Sequence, residues 1–159
     1  MKIEPATADD LDRLVAIENA AFDPALYPRI SRRQFRRHLN SDRAILLVAR
    51  NRRGMAVGYG LGLVSRATPY VRFYSLAVDP ETQNGRVGGQ LIRAMEAVAR
   101  ERGSPGMRCE VRADKEKLLR SYARIGYLPY GREAGFYSDG ASCVKLQKEL
   151  SPVRRRGGK

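Results

Sequence analysis

Residues Leu76–Gly103 read LAVDPETQNGRVGGQLIRAMEAVARERG: a strand-like run, a turn carrying Gly85, Gly88 and Gly89, and an amphipathic segment. The periodicity predicts a helix from about Gly88 to Arg102, with Val87, Leu91, Met95 and Val98 on one stripe and Gly103 as its stop. Backbone N–H groups in such a strand-to-helix turn, together with the helix N-terminus, suit an anion such as a pyrophosphate. Glycine there permits positive φ and lets phosphate oxygens approach the backbone. The stretch carries neither the dinucleotide fingerprint G-x-G-x-x-G nor the P-loop pattern G-x-x-x-x-G-K-[ST].

Upstream, Lys2–Glu4 is a short candidate strand, and Thr7 is placed to cap a helix over Ala8–Ala21. Ser31 followed by Gln34 is a capping-box pattern opening a short helix, with Phe35 and Leu39 one turn apart and Arg32, Arg33, Arg36 and Arg37 on its other faces. Three strands follow: Ala44–Arg50, whose run AILLVAR implies burial on both faces, then Ala56–Ser65 and Val71–Val78, pairing as an antiparallel meander. Downstream come a strand at Met107–Arg112, a helix Lys115–Ile125 capped by Asp114 and stopped by Gly126, and two closing strands, Tyr127–Arg132 and Cys143–Lys148. No linker or repeat divides the chain, so residues 1–150 read as one domain and 151–159 as a basic flexible tail.

Composition narrows the chemistry. Across 159 residues there are two cysteines, Cys109 and Cys143, and one histidine, His38, too few for the usual Cys/His zinc cage. No metal site is expected, and both cysteines read as buried, reduced thiols. No apolar run approaches the roughly 18 residues of a membrane span, and the N-terminus lacks a signal-like apolar segment, so a cytoplasmic protein without a membrane partner is expected. The net charge of +13 is uneven: residues 28–53 hold nine arginines against Asp42 alone. Such a field favours anionic partners, whether nucleic acid, a ribosome or a phosphorylated cofactor, without naming one. Arg33 and Arg37 are the positions to test for docking of an acidic partner.

The spacing V-x-P-x-x-Q-x-G-x-V-G-x-x-L from Val78 to Leu91 resembles the acetyl-CoA-binding motif of the GNAT N-acetyltransferase superfamily. That family's [Q/R]-x-x-G-x-[G/A] core falls on Gln83, Arg86 and Gly88. CEVRADKEKLLRSYARIGY (Cys109–Tyr127) and FYSDGASCVKLQKEL (Phe136–Leu150) are similar to the elements that follow in the ribosomal-protein alanine N-acetyltransferase branch. The resemblance implies an α/β fold with a mixed, largely antiparallel seven-stranded sheet and about four flanking helices. It also implies an acetyltransferase that moves the acetyl group of acetyl-CoA directly to an amine, preferably a protein N-terminus and possible on a ribosomal protein. Acetylation of lysine side chains or of a small-molecule amine, or a non-catalytic module that binds CoA or docks on nucleic acid or a ribosome, are the alternatives.

By the same resemblance, Leu76, Ala77 and Val78 lie along the pantetheine arm, and Gln83, Asn84, Gly85, Arg86, Val87, Gly88 and Gly89 cradle the pyrophosphate. Glu110 matches the general base and Tyr122 the acid that protonates the departing thiolate, while Tyr137 and Asp139 border the acceptor groove. Arg86 replaces the motif's usual first glycine. Either its backbone needs glycine's freedom and it crowds the cradle, or Gly85 supplies that freedom and the guanidinium pairs with a phosphate. Lys115 stands where the branch has a cofactor-contacting asparagine; it can pair with a phosphate but accepts no hydrogen bond. From the residues alone, Glu110 reads equally as a surface carboxylate paired with Arg108 or Arg112.

Overall fold

The structure is a computed structural model and describes residues 1–82 and 84–152. Gln83 and most of the expected tail lie outside these residues. The chain runs β1 (Lys2–Pro5), a single 3-10 turn (Ala8–Asp10), α1 (Leu11–Ala21), α2 (Arg32–Leu39), β2 (Ala44–Arg50), β3 (Ala56–Leu63) and β4 (Val71–Val78). It continues through α3 (Val87–Glu101), β5 (Gly106–Arg112), α4 (Glu116–Arg124), β6 (Leu128–Glu133) and β7 (Cys143–Glu149). The implied fold class is the one found: seven strands in the order β1-β2-β3-β4-β5-β7-β6, every pair antiparallel except β4–β5. The parallel pair needs a crossover, and α3 supplies it.

Local chemistry explains most boundaries. At α2 the Ser31 hydroxyl accepts from the Gln34 N–H at 3.1 Å and the Gln34 carboxamide accepts from the Ser31 N–H at 2.8 Å, a reciprocal cap. Gly103 and Gly126 end α3 and α4 with φ of +82° and +98°, a conformation that costs other residues strain. Two expectations need correction. The first turn of the Ala8–Ala21 helix is a 3-10 turn. Asp114 does not cap α4 with its side chain, because its carboxylate pairs with Arg112 at 3.0 Å.

The sheet separates two apolar layers. Leu14, Ile17 and Phe35 from α1 and α2 pack on one face with Val48, Tyr59 and Leu61, and α3 packs Leu91, Met95 and Ala99 on the other. Alternate glycines in β3 explain how α3 comes so close. A Cβ at Gly58 would lie 3.2 Å from the Leu91 Cδ1, and one at Gly62 would lie 2.9 Å from the Met95 Cε. The pattern AVGYGLGL therefore presents large side chains to α1 and α2 and a bare groove to α3.

One irregularity positions the site. Leu61 pairs with Ser75 while Gly62 pairs with Phe73, so Tyr74 is an extra residue bulging from β4. Before it, Val71 and Phe73 face α3; after it, Leu76 and Val78 do, and Ala77 turns to the opposite layer. The β4–β5 pairing also stops there, at Phe73 opposite Cys109. Beyond that row the two strands separate.

Candidate active site

A cavity of about 650 Å³ occupies the opening where β4 and β5 part. Tyr74, Ser75 and Leu76 form one wall, Cys109 to Arg112 the other, with Tyr122 from α4 and Tyr137 from the β6–β7 loop closing it. The strand edge beside this opening has unpaired backbone. Asp79 donates its N–H to the Val57 carbonyl at 2.8 Å and Ala77 is partnered with Tyr59. Antiparallel alternation then turns the N–H groups of Leu76 and Val78 towards the gap. They are free to bind an extended arm in the manner of an added strand.

Glu110 and Tyr122 reach the cavity from opposite sides of the sheet. Met107, Cys109 and Val111 belong to the α3 layer, so Glu110 between them faces the α1/α2 side. Its ion partner is neither Arg108 nor Arg112 but Arg72 of β4, whose Nε lies 3.1 Å from Oε1 and 3.2 Å from Oε2. Arg108 instead stacks on Tyr70, 4.1 Å from the ring centroid, and donates to Gln147. Tyr122 is 9% exposed and packs edge-on against Tyr127. Burial, with Cys109 beside it, pushes its phenol above the usual value, so the ring keeps its proton. Burial also pushes the Cys109 thiol up to about 12, so Cys109 stays a protonated thiol.

The phosphate-side turn is ordered by side chains. The Asn84 carboxamide oxygen accepts the Arg86 N–H at 3.0 Å and leads into the first turn of α3. Arg86 is the N-cap residue, at φ −91° and ψ −12°, a conformation open to any residue. Neither Arg86 nor Gly85 has positive φ, so no glycine freedom is needed at this point. What glycine provides is space. A Cβ at Gly85 would meet nothing within 4 Å, and one at Gly88 would meet only the Leu76 Cδ2, at 3.9 Å. The helix N-terminus is thus bare, and among the described residues the Gly88 and Gly89 N–H groups have no partner, a cradle that fits a pyrophosphate. Sequence reading overlooked Arg93, whose Nη1 lies 3.6 Å from where a Gly89 Cβ would stand. Its i+4 spacing from Gly89 was the available signal.

Arg112, expected from the sequence only as a partner for Glu110, has other contacts. Only 3% exposed, it donates to Asp139 at 2.7 and 3.2 Å, to Asp114 at 3.0 and 3.1 Å, and to the Leu26 carbonyl at 3.1 Å. It thereby ties β5 to the loops that carry Leu26 and Asp139, beside the cavity. The Asp139 carboxylate is committed to this clamp, which holds its pKa below the ordinary range. Tyr137 stacks edge-on with Tyr27, 5.8 Å between centroids, and burial raises its phenol. Of the residues expected at the site, the cavity gathers Leu76, Glu110, Tyr122 and Tyr137. Val78 and Asn84–Gly89 lie outside its lining, between the end of β4 and the start of α3, Ala77 packs into the α1/α2 core, and Lys115 sits exposed at the start of α4. Gln83 lies outside the described residues, and no group of three or more potential metal ligands occurs among them.

A sheet split at a parallel pair, with a bare helix N-terminus at one end of the gap and a carboxylate and a phenol flanking it, is a frame suited to an extended anionic ligand. The acetyltransferase (GNAT) family pattern matches residues 11–127, and the chain belongs to that family. It is 29% identical over 143 residues to the mycothiol acetyltransferase of Propionibacterium freudenreichii subsp. shermanii, covering 86% of this chain but 46% of that protein's length. The fold matches the ribosomal-protein-S18-alanine N-acetyltransferase of Escherichia coli at a TM-score of 0.81 and 18% identity, over 99% of this chain and 98% of the other. A ribosomal-protein-alanine N-acetyltransferase from Brucella melitensis matches at 0.77 and 24% identity, over 94% and 100% of the two chains.

Proposed function

We propose that this chain is an acetyl-CoA-dependent N-acetyltransferase whose preferred acceptor is the N-terminal amine of a protein or peptide. The observation that carries the reading is the placement of Glu110 and Tyr122 on opposite faces of one gap in the sheet. Acetyl-CoA supplies an acyl group activated as a thioester. The Leu76 and Val78 N–H groups hold the pantetheine arm and are placed to stabilise developing oxyanion charge. Gly88, Gly89, Arg86 and Arg93 receive the pyrophosphate at the start of α3. Glu110 takes a proton from the acceptor ammonium, directly or through one water, so that the amine attacks as the neutral base. As the C–N bond forms and the C–S bond breaks, Tyr122 delivers its proton to the leaving sulfur, and the proton shed by the new amide nitrogen passes through solvent to restore the phenol.

Peptide acceptors suit the open mouth, where Tyr27 and Tyr137 present flat aromatic surfaces beside Glu110. A second reading, a small-molecule amine, draws support from the likeness to a mycothiol acetyltransferase. Calorimetry with acetyl-CoA, followed by release of CoA thiol with a panel of peptides and small amines, tests both. Micromolar binding with turnover of peptides upholds the main reading. Turnover confined to small amines replaces the acceptor, and no affinity for acetyl-CoA removes the enzyme reading.

A further inference from the structure

A second hollow, of about 480 Å³, adjoins the candidate active site, and Arg72 lines both. It lies between the end of α2 and the β3–β4 side of the sheet, and Arg37 and Arg43 supply two more guanidinium groups. No carboxylate is in its lining. Among the described residues, neither Arg37 nor Arg43 forms an ion pair, whereas Arg32, Arg50 and Arg112 are all held by acids. The hollow therefore carries cationic charge that the fold does not neutralise. The basic helix is also divided by it: Arg37 lines the hollow and Arg33 does not.

Geometry connects this charge to the chemistry. Arg72 and Glu110 both face the α1/α2 side of the sheet, and Leu63 pairs with both Arg72 and Ala44. Arg43, next to Ala44, and Arg72 are thus two strands apart, roughly 10 Å, which about three extended residues span. Arg72 itself is shared. Its guanidinium hydrogen-bonds Glu110, and an anion arriving from the hollow would compete for it and leave the Glu110 oxygens open to the acceptor amine.

Resting on the peptide-acceptor reading above, we propose that the arginine-lined hollow binds acidic side chains of the acceptor, at roughly positions two to four after the reacting amine. The enzyme then selects N-termini followed by aspartate or glutamate, and acidic residues draw Arg72 from Glu110 as the acceptor seats.

Fluorescence anisotropy with the full chain and CoA present tests this without turnover. Three peptides share one N-terminal residue and a C-terminal label and carry glutamates, serines or lysines at the next three positions. The glutamate peptide binds about tenfold tighter than the lysine peptide at low salt, a gap that narrows as salt rises. Arg37→Glu with Arg43→Glu abolishes that preference. Arg33→Glu with Arg36→Glu, which changes net charge equally outside the hollow, preserves it. Equal affinity for the three peptides, or equal loss in both double variants, overturns the proposal. So does a single-stranded RNA that displaces the glutamate peptide at lower concentration through the same two arginines. If the preference holds but no peptide is acetylated, the basic, acid-binding hollow stands and N-terminal acetylation falls.

Discussion

Arg72 of β4 and Glu110 of β5 meet at the row where their strands cease to pair, with Nε 3.1 Å from Oε1. The salt bridge marks the fork of the sheet and holds the Glu110 carboxylate on the α1/α2 side. A glutamine at 110 keeps the shape and one oxygen for Arg72 but loses the ability to take a proton. Glu110→Gln should lower kcat by about 10²–10³-fold while the calorimetric Kd for acetyl-CoA moves less than about twofold. Retained turnover would assign the proton to another group.

Tyr122→Phe separates packing from proton delivery. Its edge-on contact with Tyr127, 5.4 Å between centroids, survives in phenylalanine. Denaturant unfolding should change by less than about 1 kcal/mol, while kcat falls at least about tenfold. A large loss of stability with normal kcat would reduce Tyr122 to a core residue.

The cradle at α3 makes opposite predictions for neighbouring residues. Gly88→Val fills space that the fold itself leaves open and should weaken acetyl-CoA binding by more than about tenfold with little effect on unfolding. Arg86→Gly should keep the turn, because glycine is accepted at an N-cap, and weaken binding only about twofold to fivefold through lost charge. Arg93→Ala should do the same. Unchanged affinity in all three would place the pyrophosphate elsewhere.

A pH effect on stability should trace to Glu18. This buried carboxylate accepts from the Ile30 N–H at 2.6 Å and from the Tyr59 hydroxyl, and burial raises its pKa above the ordinary 4.5. The folded state therefore binds the proton more tightly than the unfolded chain does. This contribution to stability is fully present below the ordinary value and is lost as pH rises through the folded one. Thermal unfolding of Glu18→Gln should lack that decline across the mildly acidic range. Parallel pH curves for the two proteins would exclude Glu18 as its source.

The Arg112 clamp should govern acceptor binding more than cofactor binding, since it joins the Leu26 and Asp139 loops. Arg112→Met should lower the unfolding midpoint and raise KM for the acceptor with little change for acetyl-CoA. Equal rises for both substrates would mean that the clamp supports the whole fold.

Sequence by itself determined what is local. The Ser31–Gln34 cap, the glycine stops at 103 and 126, the strands Ala44–Arg50 and Val71–Val78, and the turn opening α3 all depend on residues a few positions apart, where propensity and hydrogen bonding act directly. Tertiary structure alone decided that β7 lies between β5 and β6, that Tyr74 bulges and reverses the facing of β4, and that Glu110 meets Arg72, 38 residues away. It also showed that the backbone at Arg86 is helical and requires no glycine. These outcomes depend on which distant strands share hydrogen bonds and in what register. Neighbouring side chains encode such pairing only weakly.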